Sequence, residues 1–266
     1  MFHFHEDRKL YFEHQVLNTT NYVIPFIEEV LKINEGMKVL EVGCAEGGVL
    51  KAFIDKGCIG TGVELSLDRL EIAAEMMKNE IQQHKAEFVN KNIYDQDFED
   101  LFKNQFDLII LKDVIEHVDD QKMILERLKT FLRPQGRIYF GFPPWYMPFG
   151  GHQQITSKKI LSRLPYYHLL PRPLYKLFLK MFHEKKETID YLVDIKKTGI
   201  SIERFERLLR KTGYAVENRK FYLINPIYKY KFNWKPREQN RIIRSIPYFR
   251  DYYTTAMYYL VKEKDN

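Results

Sequence analysis

The stretch KVLEVGCAEGGVLKAF, Lys38 to Phe53, places three glycines within six positions, directly after an apolar run and directly before an amphipathic one. A strand that feeds such a turn and then a helix lets a ligand press against bare backbone, with the helix N-terminal amides available for polar or negative groups. Gly43 is the tight turn. The spacing is Gly43-x-Ala45-x-Gly47-Gly48 rather than G-x-G-x-x-G, and Glu41 sits inside the strand two residues before the first glycine. Glu64 ends the next strand, twenty-one residues after Gly43, where a carboxylate can accept both hydroxyls of a ribose.

Outward from this stretch the chain keeps a βα rhythm. Before it, Val23, Phe26, Ile27, Val30 and Leu31 recur at helical spacing in NYVIPFIEEVLKIN, which predicts a helix covering the first strand. After it come a helix closed by Gly57, the strand CIGTGVE, a long helix over SLDRLEIAAEMMKNEIQQ with Ser66 as N-cap, and the strands AEFVN and FDLIILK. The helix MILERLKTFL and the strand GRIYFGF follow. Strands alternating with helices at this spacing predict a parallel sheet covered on both faces.

The rhythm breaks after Pro143. More than fifty residues rich in aromatics, prolines and lysines run from PPWYMPFGGHQQ to VDIKKTG, which reads as an inserted cap. The sheet then resumes with the helix SIERFERLLRKTG, closed by Gly213, and the strand YAVENRKFYLI. A second insertion, NPIYKYKFNWKPREQNRIIRSIPYF, separates it from a last strand, YYTTAMYYLVKE. The expected division is an N-terminal helical cover over 1–36, a core over 37–143 and 200–266, and a cap over 144–199.

An apolar content of 45% in 266 residues excludes a disordered chain and allows one sizeable core. No run of eighteen uncharged apolar residues occurs, and the start lacks the apolar region of a signal peptide, so a cytoplasmic protein is expected. Two cysteines, Cys44 and Cys58, without a CxxC neighbour fit a reducing compartment and give no zinc pattern. Charge divides unevenly: residues 1–150 carry 17 Lys+Arg against 25 Asp+Glu, and residues 151–266 carry 25 against 11. The basic second part suggests an anionic partner, such as RNA, a phosphorylated substrate or a membrane surface, or else a solvated basic face.

LEVGCAEGG resembles the first motif of the class I S-adenosylmethionine-dependent methyltransferases, with Ala45 in place of a glycine. GVELS resembles their ribose-binding strand end, VNKNIYD their adenine-contacting turn, FDLIILKDVIEHV their fourth-strand motif and LRPQGRIYF their fifth strand. The five stand in the family's order across residues 37–141. The resemblance implies a doubly wound, Rossmann-like α/β fold of seven strands, six parallel and the last antiparallel, carrying an α-helical cap insertion. It further implies that Glu41, Gly43, Cys44, Ala45 and Gly47 line the S-adenosylmethionine site, with Glu64 on the ribose. Leu65, Asn92 and Ile93 would flank adenine, Asn92 standing where the family usually has Asp, and Lys112 and Asp113 would border the reactive methyl. A nicotinamide dehydrogenase, the rival for a glycine turn, would want G-x-G-x-x-G and a sixth parallel strand.

Methyl transfer from a sulfonium is an in-line displacement, so placement of the acceptor dominates, and a hydroxyl acceptor must also lose a proton. Asp113, Glu116 and His117 stand at i, i+3 and i+4, so a helical turn would bring them to one side, and His152 follows strand five across the same edge. This set is similar to the metal-binding residues of plant-type small-RNA 2′-O-methyltransferases and ubiquinone-pathway O-methyltransferases. It implies a divalent ion, Mg²⁺ or Mn²⁺, on Asp113, Glu116, His117 and His152. The same residues could instead act directly, His117 or His152 as base with Glu116, or make ordinary polar contacts. Trp145, Tyr146, Phe149 and His152 are the candidate acceptor wall.

LPRPLYKLFLKMFHEKK alternates bulky apolar and basic residues, as a segment lying peripherally on an anionic membrane at its inner face would, or as a helix packed on its own domain. EDRKLYFEHQ is read as a surface helix. The alternative is a lid, with Arg8 or Tyr11 reaching the methionine carboxylate. The expected function is methyl transfer from S-adenosylmethionine to a small-molecule or lipid-linked acceptor, at oxygen in preference to nitrogen. The alternatives are an RNA 2′-O-methyltransferase and a non-catalytic S-adenosylmethionine-binding module.

Overall fold

The computed structural model describes residues 7–264, so His3 and His5, expected at the solvent, lie outside the described residues. The strands are β1 (Lys38–Val42), β2 (Ile59–Val63), β3 (Ala86–Val89), β4 (Phe106–Lys112), β5 (Leu132–Phe142), β6 (Tyr214–Ile224), β7 (Arg237–Glu238) and β8 (Ala256–Glu263). They form one sheet in the order β3-β2-β1-β4-β5-β8-β6-β7. β3, β2, β1, β4 and β5 pair in parallel, β8 enters antiparallel between β5 and β6, and β7 pairs antiparallel with β6. The expected seven strands are present. An eighth, the two-residue β7, arises inside the second insertion, where nothing in the apolar pattern marks it.

Both faces of the sheet are buried, and the alternation of side chains along β4 shows how. Ile109 and Leu111 face one cluster with Phe98, Phe131, Phe140 and Phe205, while Leu108 and Ile110 face another with Phe26, Leu50, Phe53 and Tyr139. This is why the central strands read as continuous apolar runs. A third cluster, Leu161, Tyr167, Tyr175, Leu179, Ile189, Leu192 and Val193, gives the segment after β5 its own small core.

Helix ends follow local chemistry. Gly57, at φ +93°, and Gly213, at φ +73°, adopt the left-handed conformation that closes the preceding helices, as their positions predict. The long helix expected after β2 is two, Leu67–Met76 and Lys78–Gln82, broken where Met77 leaves helical geometry at φ −117°. Ser66 occupies the N-cap but caps nothing with its side chain. The covering helix ends at Glu28, and Val30, expected inside, is exposed.

Strand order reverses at β1 and β4, whose continuations turn to opposite sides and leave a crevice at their carboxyl ends. The helix Arg8–Asn18 lies across that crevice. An ideal Cβ on Gly48 would stand 2.6 Å from the Phe12 carbonyl oxygen, and the Arg8 guanidinium pairs with the buried Glu46 carboxylate. The N-terminal segment is thus a surface helix with one side packed on the glycine turn, Arg8, Lys9, Leu10, Glu13 and Leu17 remaining exposed on the other. Gly48→Ala tests the contact. Alanine in a helix gains about 1 kcal/mol over glycine, but overpacking against backbone costs roughly 1–3 kcal/mol. The expected result is net loss of stability and faster proteolysis within residues 8–18; a stabilised variant would mean the helix yields freely.

Candidate functional site

The glycine turn is built by positive backbone angles at Gly43 (φ +70°), Ala45 (φ +49°) and Gly47 (φ +82°). At Gly43 a side chain is also excluded by space, since an ideal Cβ would come within 2.7 Å of Val114. Glu64 ties the turn to the end of β2: its carboxylate accepts from the Ala45 amide at 3.1 Å and from the Leu65 and Ser66 amides at 2.9 and 3.0 Å. Glu41 points from β1 under the turn and accepts from the Leu50 amide at 2.9 Å, fixing the start of helix Gly48–Ile54.

A partly open cavity of about 30 Å³ lies between the turn and the N-terminal helix, lined by Tyr11, Gln15, Glu41, Cys44, Lys112 and Asp113 among others. That volume is about one water, far less than an adenosyl amino acid requires. Its lining nevertheless joins six of the residues singled out from sequence, Glu41, Gly43, Cys44, Ala45, Lys112 and Asp113. Leu65 is 68% exposed beside them. Asn92 is exposed and accepts from the Tyr94 amide through its side chain, while Ile93 is buried.

Burial pushes the Glu41 carboxyl up to about 8, against an ordinary value of 4.5. A folded value above the unfolded one means that the folded chain holds the extra proton between the two, so stability falls as pH rises through that window. Glu41→Gln keeps an acceptor for Leu50 and removes the titration. Its thermal unfolding is expected to lose the stability decline between pH 4.5 and 8 by an amount on the order of a few kcal/mol.

A second constellation stands at the neighbouring strand ends. The turn after β4 forms a 3-10 helix, Ile115–His117, and the loop after β5 presents His152 in a left-handed conformation at φ +55°. One ligand atom from each of Glu116, His117 and His152 lies within 4.8 Å of the others, and the two imidazole centroids are 4.9 Å apart. Glu116 is 4% exposed, and neither carboxylate oxygen has a partner among the described residues; nor does His152 Nδ1. Burial, with the Asp113 charge adding, holds Glu116 well above the carboxylate range. Burial, with His117 adding, lowers His152 to about 4.

Asp113 does not belong to this triplet. It precedes the 3-10 turn at φ +57°, outside any helix, and its carboxylate takes the Lys112 ammonium at 2.6 Å. The i, i+3, i+4 reasoning assumed a helix that begins only at Ile115.

The aromatic residues divide. Trp145 is engaged by the cap: its ring meets His168 edge-on at 4.8 Å, Lys196 stands 5.3 Å from it, and Gly199 packs against it. Tyr146 is 36% exposed and lies 5.6 Å from Tyr252, which stands in a 3-10 turn before β8 rather than in the strand expected there, and Phe149 is half-buried in the loop leading to His152. His168, Thr198 and Gln121, which hold the loops around the cluster, carry no sequence signal that could single them out; each is an isolated polar residue in an apolar or charged run.

Among known proteins, the chain is 31% identical over 119 residues to a ubiquinone biosynthesis O-methyltransferase of Coxiella burnetii, covering 44% of this chain and 47% of that one. The corresponding protein of Histophilus somni is 28% identical over 125 residues, covering 45% and 52%. The chain thus matches these curated relatives over about half their length. A solved geranyl diphosphate methyltransferase in complex with SAM shares the fold at 15% identity with a TM-score of 0.56, over 92% of this chain and 84% of that one. Haemonchus contortus phosphoethanolamine N-methyltransferase 2 does so at 13% and 0.57, over 98% and 59%. A family model described as a methyltransferase domain matches residues 12–218, and the chain belongs to that family.

Proposed function

We propose that the protein transfers a methyl group from S-adenosylmethionine to an oxygen of a small-molecule or lipid-linked acceptor, within a site that holds a divalent ion. The glycine turn with Glu64 supports the donor. The observation that carries the choice of oxygen is the Glu116–His117–His152 triplet at the ends of β4 and β5, where an acceptor facing the donor would sit. Two imidazoles and a buried carboxylate without a partner among the described residues fit a divalent ion such as Mn²⁺ or Mg²⁺. When bound, such an ion lowers the pKa of a hydroxyl acceptor.

In the transfer the sulfur–methyl bond breaks as the oxygen–methyl bond forms, and the hydroxyl proton leaves to a base. With His117 and His152 engaged as ligands, that base would be water beside the ion; without an ion, His152, neutral at pH 7, and His117 beside it would take the proton directly. Asp113, held by Lys112, borders the donor pocket. The N-terminal helix borders this pocket and can exclude water from a donor bound there. Residues 144–199 form the acceptor-recognition cap in this reading. The test is to incubate the protein with radiolabelled donor and fractionated extract; label entering RNA or amines, rather than hydroxylated metabolites or lipids, overturns it.

A peripheral contact with anionic membrane belongs to the same reading. No helix among the described residues is long and apolar enough to cross a membrane. Helix Arg172–Met181 instead exposes Leu174, Leu177 and Met181 at 53%, 55% and 67%, beside Arg172, Lys176 and Lys180, while Phe178 and Phe182 pack into the cap. Serine at those three exposed positions is expected to reduce sedimentation with phosphatidylglycerol vesicles at least tenfold; equal sedimentation of the variant and the parent removes the contact.

A further inference from the structure

The helix Lys186–Thr198 ends against both halves of the Glu116–His117–His152 triplet. On one side, Thr198 Oγ1 donates to the Glu116 carbonyl at 2.6 Å. The Thr198 carbonyl accepts from Gln121 Nε2, and that amide also donates to the Ile115 carbonyl at 3.2 Å. Gln121 is 2% exposed, so these bonds are shielded from water. They tie the 3-10 turn carrying Glu116 and His117 to the end of a cap helix.

On the other side, Lys196 Nζ donates to the His168 carbonyl at 2.6 Å. The His168 ring bridges the loop that carries His152: Nε2 lies 2.9 Å from the Trp145 carbonyl, and Nδ1 lies 2.7 Å from Gln153 Nε2. One protonation pattern satisfies both contacts, with Nε2–H donating to Trp145 and Nδ1 accepting from the Gln153 amide. Burial, which lowers His168 to about 4, keeps the ring in that neutral form. Gly199 and Ile200, which follow the helix, complete the clamp. An ideal Cβ on Gly199 would stand 2.3 Å from the Trp145 ring, and the Trp145 amide donates to the Ile200 carbonyl at 2.8 Å.

We propose that Thr198 and His168 are positioning residues: through the end of one cap helix they hold the Glu116–His117 turn and the His152 loop at the spacing that closes the triplet. Neither side chain touches the space inside the triplet. Thr198 acts through the Glu116 backbone carbonyl, and His168 through the Trp145 carbonyl and the side chain of Gln153, the residue after His152. Movement of the cap helix, as when an acceptor enters the cap, therefore changes the separation of His117 and His152.

The inference rests on the divalent-ion reading for one of its measurements and is independent of it for the other. In the full chain, Thr198→Val keeps shape and removes the hydroxyl, Thr198→Ser keeps the hydroxyl, and His168→Leu removes the bridge. Free Mn²⁺ is followed by electron paramagnetic resonance as Mn²⁺ alone is titrated. Calorimetry with S-adenosylhomocysteine reports on the separate donor site. Thr198→Val and His168→Leu are each expected to weaken Mn²⁺ about 10-fold or more, Thr198→Ser to stay near the parent, and donor-product affinity to hold within about twofold.

In metal-free protein, the cross-relaxation signal between the His117 and His152 rings, 4.9 Å apart, is expected to persist with serine and vanish with valine. A parent that binds no Mn²⁺ sinks the divalent-ion reading, while the ring signal still decides the clamp. Should His168→Leu fail to fold, the isosteric Thr198→Val carries the test. Unchanged ring signal and unchanged Mn²⁺ affinity in a folded Thr198→Val protein overturn the proposal.

Discussion

Glu64→Ala is expected to weaken binding of S-adenosylmethionine and its demethylated product by about 100-fold while leaving the protein folded. The carboxylate lies between the glycine turn and the β2 end, where it accepts from the Ala45, Leu65 and Ser66 amides. Hydrogen bonds to a charged group contribute roughly 1.5–3 kcal/mol each, and every 1.4 kcal/mol is about tenfold in affinity. Loss of two ribose contacts, partly offset by water reaching the freed amides, gives about 3 kcal/mol. Glu64→Gln retains one acceptor oxygen and should lose about tenfold. Calorimetry measures both. Parent-like affinity in the alanine variant, or a nicotinamide nucleotide binding in place of the adenosyl donor, would remove the proposed donor site.

The second large effect concerns the triplet. Exhaustive chelation is expected to lower turnover at least 100-fold, with recovery on adding Mn²⁺ or Mg²⁺, and Glu116→Gln should reproduce the loss without affecting donor-product binding. A carboxylate 4% exposed with both oxygens lacking partners among the described residues costs several kcal/mol of desolvation if charged, and a cation offsets that cost.

Two signs follow for Glu116→Gln. Without metal the variant should be at least as stable as the parent, because a strained acid has been removed. With metal, the parent alone should gain about 2.7 kcal/mol at a concentration 100 times the dissociation constant, read as a higher Tm. Turnover and Tm indifferent to chelation and to either ion would leave His117 and His152 as direct proton acceptors.

The glycine turn and the strand-end acid beside it were legible in sequence because their determinants are local. Gly43, Ala45 and Gly47 act through backbone angles, and the period of the apolar runs on either side dictates that a strand feeds the turn and a helix leaves it. Glu64 could be placed because it ends the very next strand, and parallel pairing of β1 with β2 brings Val42 beside Val63. The triplet was only partly legible. His152 follows β5 and Glu116 follows β4, so their shared edge could be anticipated, but Asp113 was misplaced because a helix was assumed where a left-handed residue precedes a short 3-10 turn.

Long-range packing accounts for the rest. The N-terminal helix covers the glycine turn because Gly48 lets the Phe12 carbonyl approach and because Glu46 is buried facing Arg8; both facts involve residues almost forty positions apart. Likewise His168 and Thr198 matter only because the cap folds back onto two turns of the core, and nothing in their immediate neighbours foretells it.

By itself, then, the order of apolar runs, glycines and strand-end acids determined the doubly wound sheet and the place of the crevice beside the glycine turn, since each depends on periodicity and backbone freedom that neighbours share. Tertiary structure alone decided which helix closes that crevice, which acid joins the two histidines and what holds the three together. Those outcomes depend on distances between segments remote in the chain, and such distances are set by packing rather than by any local preference.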